Sequence, residues 1–397
     1  MRSSQRFIEE GLRRGREDVP GLQEAYRQIL LQQRRRPTAL PAILTLGHLA
    51  CRTKVPFETL RLYATRAAEH PYRRFHIRKR SGGRRWISVP ADGLRSVQSW
   101  LTEHVLRHVL VHPASRAFRR GDSIRQCAEE HVRARWLIKL DIADFFGSVS
   151  EIQVFRAFAR MGYNRLVSME MARLCTDTPQ VSDKYRMKAW KVRPYKWSRI
   201  PGYQQRVIGR LPQGAPSSPM LANIAVIEVD EEVAEIAAAH GLRYTRYSDD
   251  ITLSTDGSFS RNAASKVVEE VAQVLKARGL YLNRKKTSIT HPGARRVVLG
   301  LLVDGEQPRL TKSFRDRLRQ HLYYLEKLGI NAHVAARSFD SAGGLYRHLR
   351  GLIDYANSIE PGYATSLRRR LDALPWNAED HRNFAQPQMT GSSSHEA

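Results

Sequence analysis

Three aspartates carry the strongest chemical signal in this chain. Asp141 follows the short apolar run of residues 136–140, and Asp249 and Asp250 stand side by side within residues 244–254, which alternate in character. Phosphoryl transfer uses two divalent cations about 4 Å apart, one activating the attacking hydroxyl and one stabilising the leaving group. Magnesium prefers carboxylate oxygens completed by water and substrate phosphates. Two or three Asp residues at strand ends and hairpin tips, converging in a basic cleft, are the simplest way for a protein to supply them. Adjacent residues on a regular strand point to opposite faces, but at a hairpin tip one can ligate while the other supports it. Each residue taken alone has a plainer reading. An Asp after a strand usually caps a helix or a turn, and paired Asp residues in a turn are usually solvated.

The elements that must hold these residues are written in the periodicity. In residues 74–90, Phe75 and Ile77 alternate with polar residues, Ser81-Gly82-Gly83 makes a turn, and Trp86 and Ile87 begin a second run. That predicts a β-hairpin with a basic tip. Residues 91–111 predict a helix with Leu94, Val97, Leu101, Val105 and Val109 on one face. Residues 136–140 predict a strand, 150–174 a helix or helix pair, 220–240 a helix and 244–254 a second hairpin. Residues 262–278 predict an amphipathic helix closed by Gly279. Residues 296–303 predict one further strand turning at Asp304-Gly305. Residues 1 to about 70 read as helical, with Pro41 and Pro56 as helix starts, and 311–374 as a basic helical unit. Residues 377–397 are polar and poor in aliphatics, which predicts a disordered tail.

Composition narrows the class. A chain of 397 residues is long enough for two or three packed units. Its 42% hydrophobic and 8% aromatic content excludes global disorder. Lys and Arg number 66 against 39 Asp and Glu, a net charge of +27. Such an excess repels itself in the folded state unless an anionic partner relieves it. Nucleic acid is the usual partner, and a merely basic enzyme is the alternative. Residues 184–210 concentrate this character. They contain no acid and set Trp190, Tyr195, Trp197 and Tyr203 among Lys and Arg. The pattern predicts nucleic-acid contact by charge and base stacking, against an exposed loop whose aromatics pack locally. Cys51, Cys127 and Cys175 are far apart without metal-ligand spacing, which fits a reducing compartment. No stretch approaches the roughly 20 apolar residues of a membrane span. The expectation is a cytoplasmic protein with no membrane partner.

Six motifs then occur in a recognisable order. They are Lys79-Arg80-Ser81-Gly82-Gly83-Arg84-Arg85-Trp86-Ile87, Ala117-Phe118-Arg119-Arg120-Gly121-Asp122-Ser123-Ile124, and Leu140-Asp141-Ile142-Ala143-Asp144-Phe145-Phe146. After these come Leu211-Pro212-Gln213-Gly214-Ala215-Pro216-Ser217-Ser218-Pro219, Tyr247-Ser248-Asp249-Asp250, and Leu282-Asn283-Arg284-Lys285-Lys286-Thr287. From about residue 72 to 355 the chain resembles bacterial reverse transcriptases, specifically the retron-like and defence-associated group. The resemblance implies an α+β right-hand polymerase with an antiparallel palm sheet. A helical N-terminal extension would occupy 1–70, fingers and palm 71–305, and a helical thumb 306–376. It also implies that Asp141, Asp249 and Asp250, with the backbone carbonyl of Ile142, hold two Mg2+ ions, for which Mn2+ can substitute. Phe146 would be the steric gate that favours dNTPs by leaving no room for a 2′-hydroxyl, and Phe145 a core residue. Gln213, Gly214 and Tyr247 would touch the incoming nucleotide or template, the glycine permitting close backbone approach. Lys79 and Arg85 would hold the triphosphate. Lys286 would protonate the leaving pyrophosphate, a solvated Lys after a turn being the alternative. In the thumb, Arg315, Arg317, Arg319, Arg347 and Arg350 would track a duplex backbone.

Departures from the group bear on subclass. Ser248 stands where retron enzymes commonly carry Ala. Cys127 opens Cys127-Ala128-Glu129-Glu130-His131 where they typically show N-A-x-x-H. Val297-Val298-Leu299-Gly300-Leu301 stands where they typically show V-T-G. A standalone defence-associated enzyme therefore stays open beside a retron enzyme. The activity implied is RNA-directed DNA synthesis from dNTPs on an RNA template, a cognate noncoding RNA, in a retron or antiphage defence system, with an effector protein as a possible further partner. The rivals are a polymerase making repetitive or untemplated DNA, an RNA-dependent RNA polymerase, and a catalytically retired RNA-binding scaffold.

Overall fold

The structure is a computed structural model that describes residues 2–15, 19–33, 40–78, 82–178, 203 and 207–376. The chain divides into two compact units, one of Met1–Ser123 with Trp136–His291, the other of Ile124–Arg135 with Pro292–Ala397.

The first unit begins with α1 (Arg2–Arg13), α2 (Val19–Gln33), α3 (Leu46–Thr53) and α4 (Phe57–Ala64). Pro56 stands at the N-cap of α4, as expected, but Pro41 starts nothing: α3 begins at Leu46, where the Thr45 hydroxyl accepts from the His48 amide. A side-chain acceptor for an otherwise unpaired first-turn N–H decides the start there. The predicted hairpin is β1 (Tyr72–Arg78) paired with β2 (Arg84–Pro90), and α5 (Asp92–His104) follows with Leu94, Val97 and Leu101 buried. α6 (Ile124–Glu129) belongs to the second unit. The first unit resumes with β3 (Trp136–Asp141), a short α7 (Phe145–Ser148), α8 (Glu151–Arg160) and α9 (Arg165–Cys175). After 207 come α10 (Ser218–Ala225), α11 (Ile227–Ala239), β4 (Arg243–Tyr247), β5 (Asp250–Thr255), α12 (Arg261–Ala277) and β6 (Ser288–Thr290).

A four-stranded antiparallel sheet in the order β4-β5-β3-β6 is the centre of this unit. Ile138, Leu140, Ile251 and Leu253 bury one face of it with Val229, Val233 and Ala237 of α11 and Val267, Val271 and Leu275 of α12. The apolar period of 3.6 in α12 and the β-branched residues of the strands make this face. Gly279, at φ +76, follows the end of α12 as predicted. The basic segment 184–210 lies outside the described residues except for Tyr203 and 207–210. Asp177 and Arg210 exchange backbone hydrogen bonds of 2.8 and 2.9 Å where the chain leaves for that segment and returns. Arg74 of β1 holds the Asp177 carboxylate with contacts down to 2.6 Å.

The second unit has a ribbon of β7 (Val297–Val298), β8 (Leu301–Leu302) and β9 (Arg309–Leu310). The helices α13 (Lys312–Leu328), α14 (Ile330–Ala336), α15 (Ala342–Ile359) and α16 (Pro361–Asp372) follow. The single strand expected over 296–303 is in fact a hairpin. Leu299 and Gly300, at φ +48 and +86, form a two-residue turn of the kind that matches strand twist when both central residues have positive φ. A leucine gives no warning of that turn in the sequence. The segment 124–135 joins this unit through the Arg133 amide, which donates to the carbonyls of Val303 and Gly305, and through Arg125, which donates to the Ile359 carbonyl. Two of the arginines expected to track a duplex are engaged within the unit: Arg315 pairs with Glu360, and Arg350 lies 3.5 Å from Asp354. The tail 377–397 lies outside the described residues.

Inside the helices, His321 Nδ1 and His333 Nε2 lie 2.9 Å apart, both rings buried. Burial lowers the pKa of His321 to about 4, and the neighbouring His333, Arg337, His348 and Arg317 push the same way; burial and Arg337 lower His333 too. A histidine whose folded pKa lies below its unfolded value of about 6.5 contributes stability that is complete above pH 6.5 and is lost as pH falls towards the folded value. Resistance to thermal unfolding should therefore fall progressively from pH 7.5 to 5. A His321→Gln/His333→Leu variant should show a visibly shallower pH dependence, and an unchanged slope would contradict this reading.

Candidate active site

Asp141 is the last residue of β3, and its register partner across the sheet is Asp250, the first residue of β5. Tyr247 pairs with Asp250 as well, so Ser248 and Asp249 form a two-residue hairpin turn. The Ile142 amide donates to the Asp249 carbonyl at 2.9 Å and fixes the turn against the end of β3. Sheet register and the adjoining turn thus bring the three predicted carboxylates to one end of the inner strand pair β3–β5. The turn itself is unusual, because Ser248 sits at φ +59, a region that non-glycine residues seldom occupy.

Arg246 holds it there. Its guanidinium is fully buried and donates to the Ser248 carbonyl at 2.9 Å, to both oxygens of buried Asp230 at 2.7 and 2.6 Å, to Asn223 Oδ1 at 3.0 Å and to Ser115 Oγ at 3.2 Å. It also lies over the Phe145 ring, 5.6 Å from its centroid. The Tyr244 hydroxyl donates to Asp230 at 2.6 Å, and the Asn223 amide donates to the Ala117 carbonyl at 2.7 Å. The sequence reading missed all of these partners. An arginine inside a short apolar-alternating strand, and an aspartate on a helix among Val229 and Val233, were the available signal: buried charges are found paired.

The electrostatics fit a cation site. Burial raises the Asp250 pKa to about 6, and the charges of Asp249 and Asp141 raise it further against the pull of Lys139 and Lys286. Lys286 Nζ lies 2.6 Å from Asp141 Oδ2 while the lysine stays largely exposed. The hydrogen bond to Asp141 raises the lysine pKa, so the ammonium keeps its proton. The loop carrying Lys286 is anchored by the Asn283 amide, which donates to the Asp141 carbonyl at 2.7 Å, and by the Lys286 amide, which donates back to the Asn283 carbonyl at 2.9 Å. Among the described residues no three His, Cys, Asp or Glu side chains close around a metal ion by themselves. The crowded carboxylate charge at this end of the strand pair is the chemistry that metal ions would neutralise.

The other predicted residues fall as follows. Phe145 is buried in the core, while Phe146 is partly buried against it, with ring centroids 5.7 Å apart. The Gln213 carbonyl accepts from the Ser88 amide of β2 at 2.7 Å. Gly214 sits at φ +114, and a Cβ there would meet Ile87 Cγ2 at 2.8 Å and the Ser88 carbonyl at 3.1 Å. This glycine makes room for Ile87 and Ser88 of β2. Arg85 is exposed on β2 opposite Ile77. Lys79 lies outside the described residues.

Residues 77–325 match the reverse transcriptase (RNA-dependent DNA polymerase) family. The chain is 28% identical to the Retron Ec86 reverse transcriptase of Escherichia coli, over 87% of this chain and 96% of that protein. It is 30% identical to the Retron Mx65 reverse transcriptase of Myxococcus xanthus, over 83% of this chain and 72% of that protein. The Retron Ec83 reverse transcriptase of Escherichia coli is 26% identical over 78% and 89%.

Because the raised pKa of Asp250 reports ionised carboxylate held at a cost, Asp250→Asn should stabilise the protein in chelator. The gain should be on the order of 1 kcal/mol once solvent screening is allowed for. Thermal melting in chelator checks this. Added magnesium should then raise the melting temperature of the wild type more than that of the variant; a destabilised variant would contradict the account.

Proposed function

The chain belongs to the reverse transcriptase family and is an RNA-directed DNA polymerase, and from that premise we propose that it copies a cognate noncoding RNA in a retron-type system, using Asp141, Asp249 and Asp250 as the ligands of two Mg2+ ions. The observation that carries the assignment of these residues is the β3–β5 register, which sets Asp141 opposite Asp250 with Asp249 in the adjoining turn.

When bound, the two ions supply Lewis-acid activation of the primer 3′-hydroxyl and charge stabilisation on the leaving pyrophosphate. The protein's own residues do the rest. Asp141, Asp249 and Asp250 present carboxylate oxygens from the end of a rigid strand pair, so no reorganisation is needed at the moment of reaction. Lys286, kept protonated by Asp141, has a proton to give to the departing pyrophosphate oxygen. Phe146 stands five residues after the β3 carboxylate, where its ring can underlie the sugar and exclude a 2′-hydroxyl. Arg85 and Lys79 offer positive charge to the triphosphate, Arg by its planar fork and Lys as a point charge. The net charge of +27 supplies the sequence-independent affinity for template and product strands.

The retron context rests on the relatives named above and on their coverage of most of the chain. Association with an effector protein in antiphage defence is the extension of that context. Among the described residues no helix is long and apolar enough to cross a membrane.

Primer extension on an RNA template with magnesium and dNTPs tests the proposal. Wild-type protein should make DNA complementary to the template, and Asp249→Asn should lose at least about 100-fold in rate while still binding RNA. Equal product from both proteins would remove Asp249 from the site. Product whose sequence repeats or ignores the template would replace the copying function with untemplated synthesis.

A further inference from the structure

Phe118 holds a backbone conformation that its residue type resists. Its φ is +69, a left-handed conformation in which a bulky side chain is an outlier and which Gly or Asn would take with less strain. Such conformations persist only where the surroundings over-determine them, and they gather at functional sites. The surroundings here do so. On the N-terminal side, the Arg246 amide donates to the Ala114 carbonyl and the Arg116 amide donates to the Arg246 carbonyl, both at 2.8 Å, and the Asn223 amide holds the Ala117 carbonyl. On the C-terminal side, Arg119 grips Asp122 with two hydrogen bonds of 2.7 and 2.9 Å. Ala114, Ser115 and Ala117 are buried, yet the Phe118 side chain is turned out and is 38% exposed.

The ring does not go to the core. Its aromatic neighbour among the described residues is Phe146, at a centroid distance of 6.2 Å. Phe146 in turn lies 5.7 Å from Phe145, which is buried beneath Arg246. Phe146 is therefore flanked by two rings: Phe145, fixed by the core, and Phe118, fixed by a clamped and strained loop. We infer that Phe118 is a positioning residue for sugar selection, the outer wall that keeps the Phe146 ring from swinging away when a nucleotide carrying a 2′-hydroxyl enters. The inference rests on the reading of Phe146 as the gate. A packing surface that merely adds contact rejects an extra hydroxyl weakly, so selection by a ring depends on that ring being unable to yield.

The measurement is single-nucleotide incorporation of a dNTP and of the matching rNTP, compared as the ratio of their kcat/KM values. The proteins are wild type, Phe118→Ala, Phe118→Gly and Phe146→Ala. A general folding fault lowers both substrates together and cancels in the ratio. Phe118→Gly also relieves the backbone strain, so it keeps the test open if the alanine variant folds poorly. The expected result is a fall in the dNTP preference of about 10-fold in both Phe118 variants and a fall at least as large in Phe146→Ala. A normal ratio in both Phe118 variants beside a collapsed one in Phe146→Ala would overturn the role of Phe118 and leave the gate standing. A normal ratio in Phe146→Ala would remove the gate itself, and this inference with it.

Discussion

The fully buried ion pair between Arg246 and Asp230 is the contact on which the candidate site depends. Two charges out of water are expensive, and removing one partner of such a pair costs about 3–5 kcal/mol because the other is left uncompensated. The pair is tolerable here because every arm of the guanidinium is used: two on Asp230, the rest on Asn223, Ser115 and the Ser248 carbonyl. A lysine, with a single compact ammonium, could not reach these partners in one plane. One side chain thereby ties two helices, a strand, the loop of residues 114–117 and the turn bearing Asp249 into a fixed arrangement. The strained φ of Ser248 is held by the bond from Arg246 to its own carbonyl, and the loop leading to Phe118 is held by the backbone bonds of Arg246 with Ala114 and Arg116.

This arrangement places stability and function in opposition within a few residues. The hub is fully satisfied and rigid, while the strand end it supports gathers three carboxylates whose charges resist one another and raise the pKa of Asp250. Lys286 relieves part of that charge through Asp141. The divalent cations and triphosphate proposed for this site would supply the charge that the protein groups leave unbalanced. The positive excess of the chain is likewise partly internal, with Arg74, Arg246 and Arg315 each committed to a carboxylate.

The elements that present the site were legible because each followed a local rule. The period-2 pattern around Tyr247 and Asp250, the apolar run ending at Asp141 and the turn glycines at 82 and 83 all gave the right element, and the motif order gave the family. What escaped was non-local. Arg246 could be read as an inward charge but not matched to Asp230, sixteen positions away on a helix. Pro41 was outweighed as a helix start by the side-chain cap of Thr45. The hairpin at Leu299-Gly300 hid behind a residue that rarely takes positive φ, so 296–303 read as one strand. Gly214 was recognised as a close-approach residue; that the Ile87 side chain and the Ser88 carbonyl of β2 stand 2.8 and 3.1 Å from where its Cβ would be is visible only once the hairpin is folded over it.

The central claim is that the Arg246–Asp230 pair serves the catalytic turn and not only the fold. Replacing both at once, Asp230→Leu with Arg246→Met, tests it most directly, because it avoids the uncompensated buried charge that either single change would leave. The account predicts a protein that still folds, with a melting temperature lowered by the groups left unpartnered at Asn223, Ser115, Tyr244 and the Ser248 carbonyl, yet extends a primer at least about 10-fold more slowly per folded molecule, as expected when preorganised catalytic groups lose their fixed geometry. A double variant that folds and copies RNA at the wild-type rate would show that the pair is structural only, and that the turn bearing Asp249 holds itself.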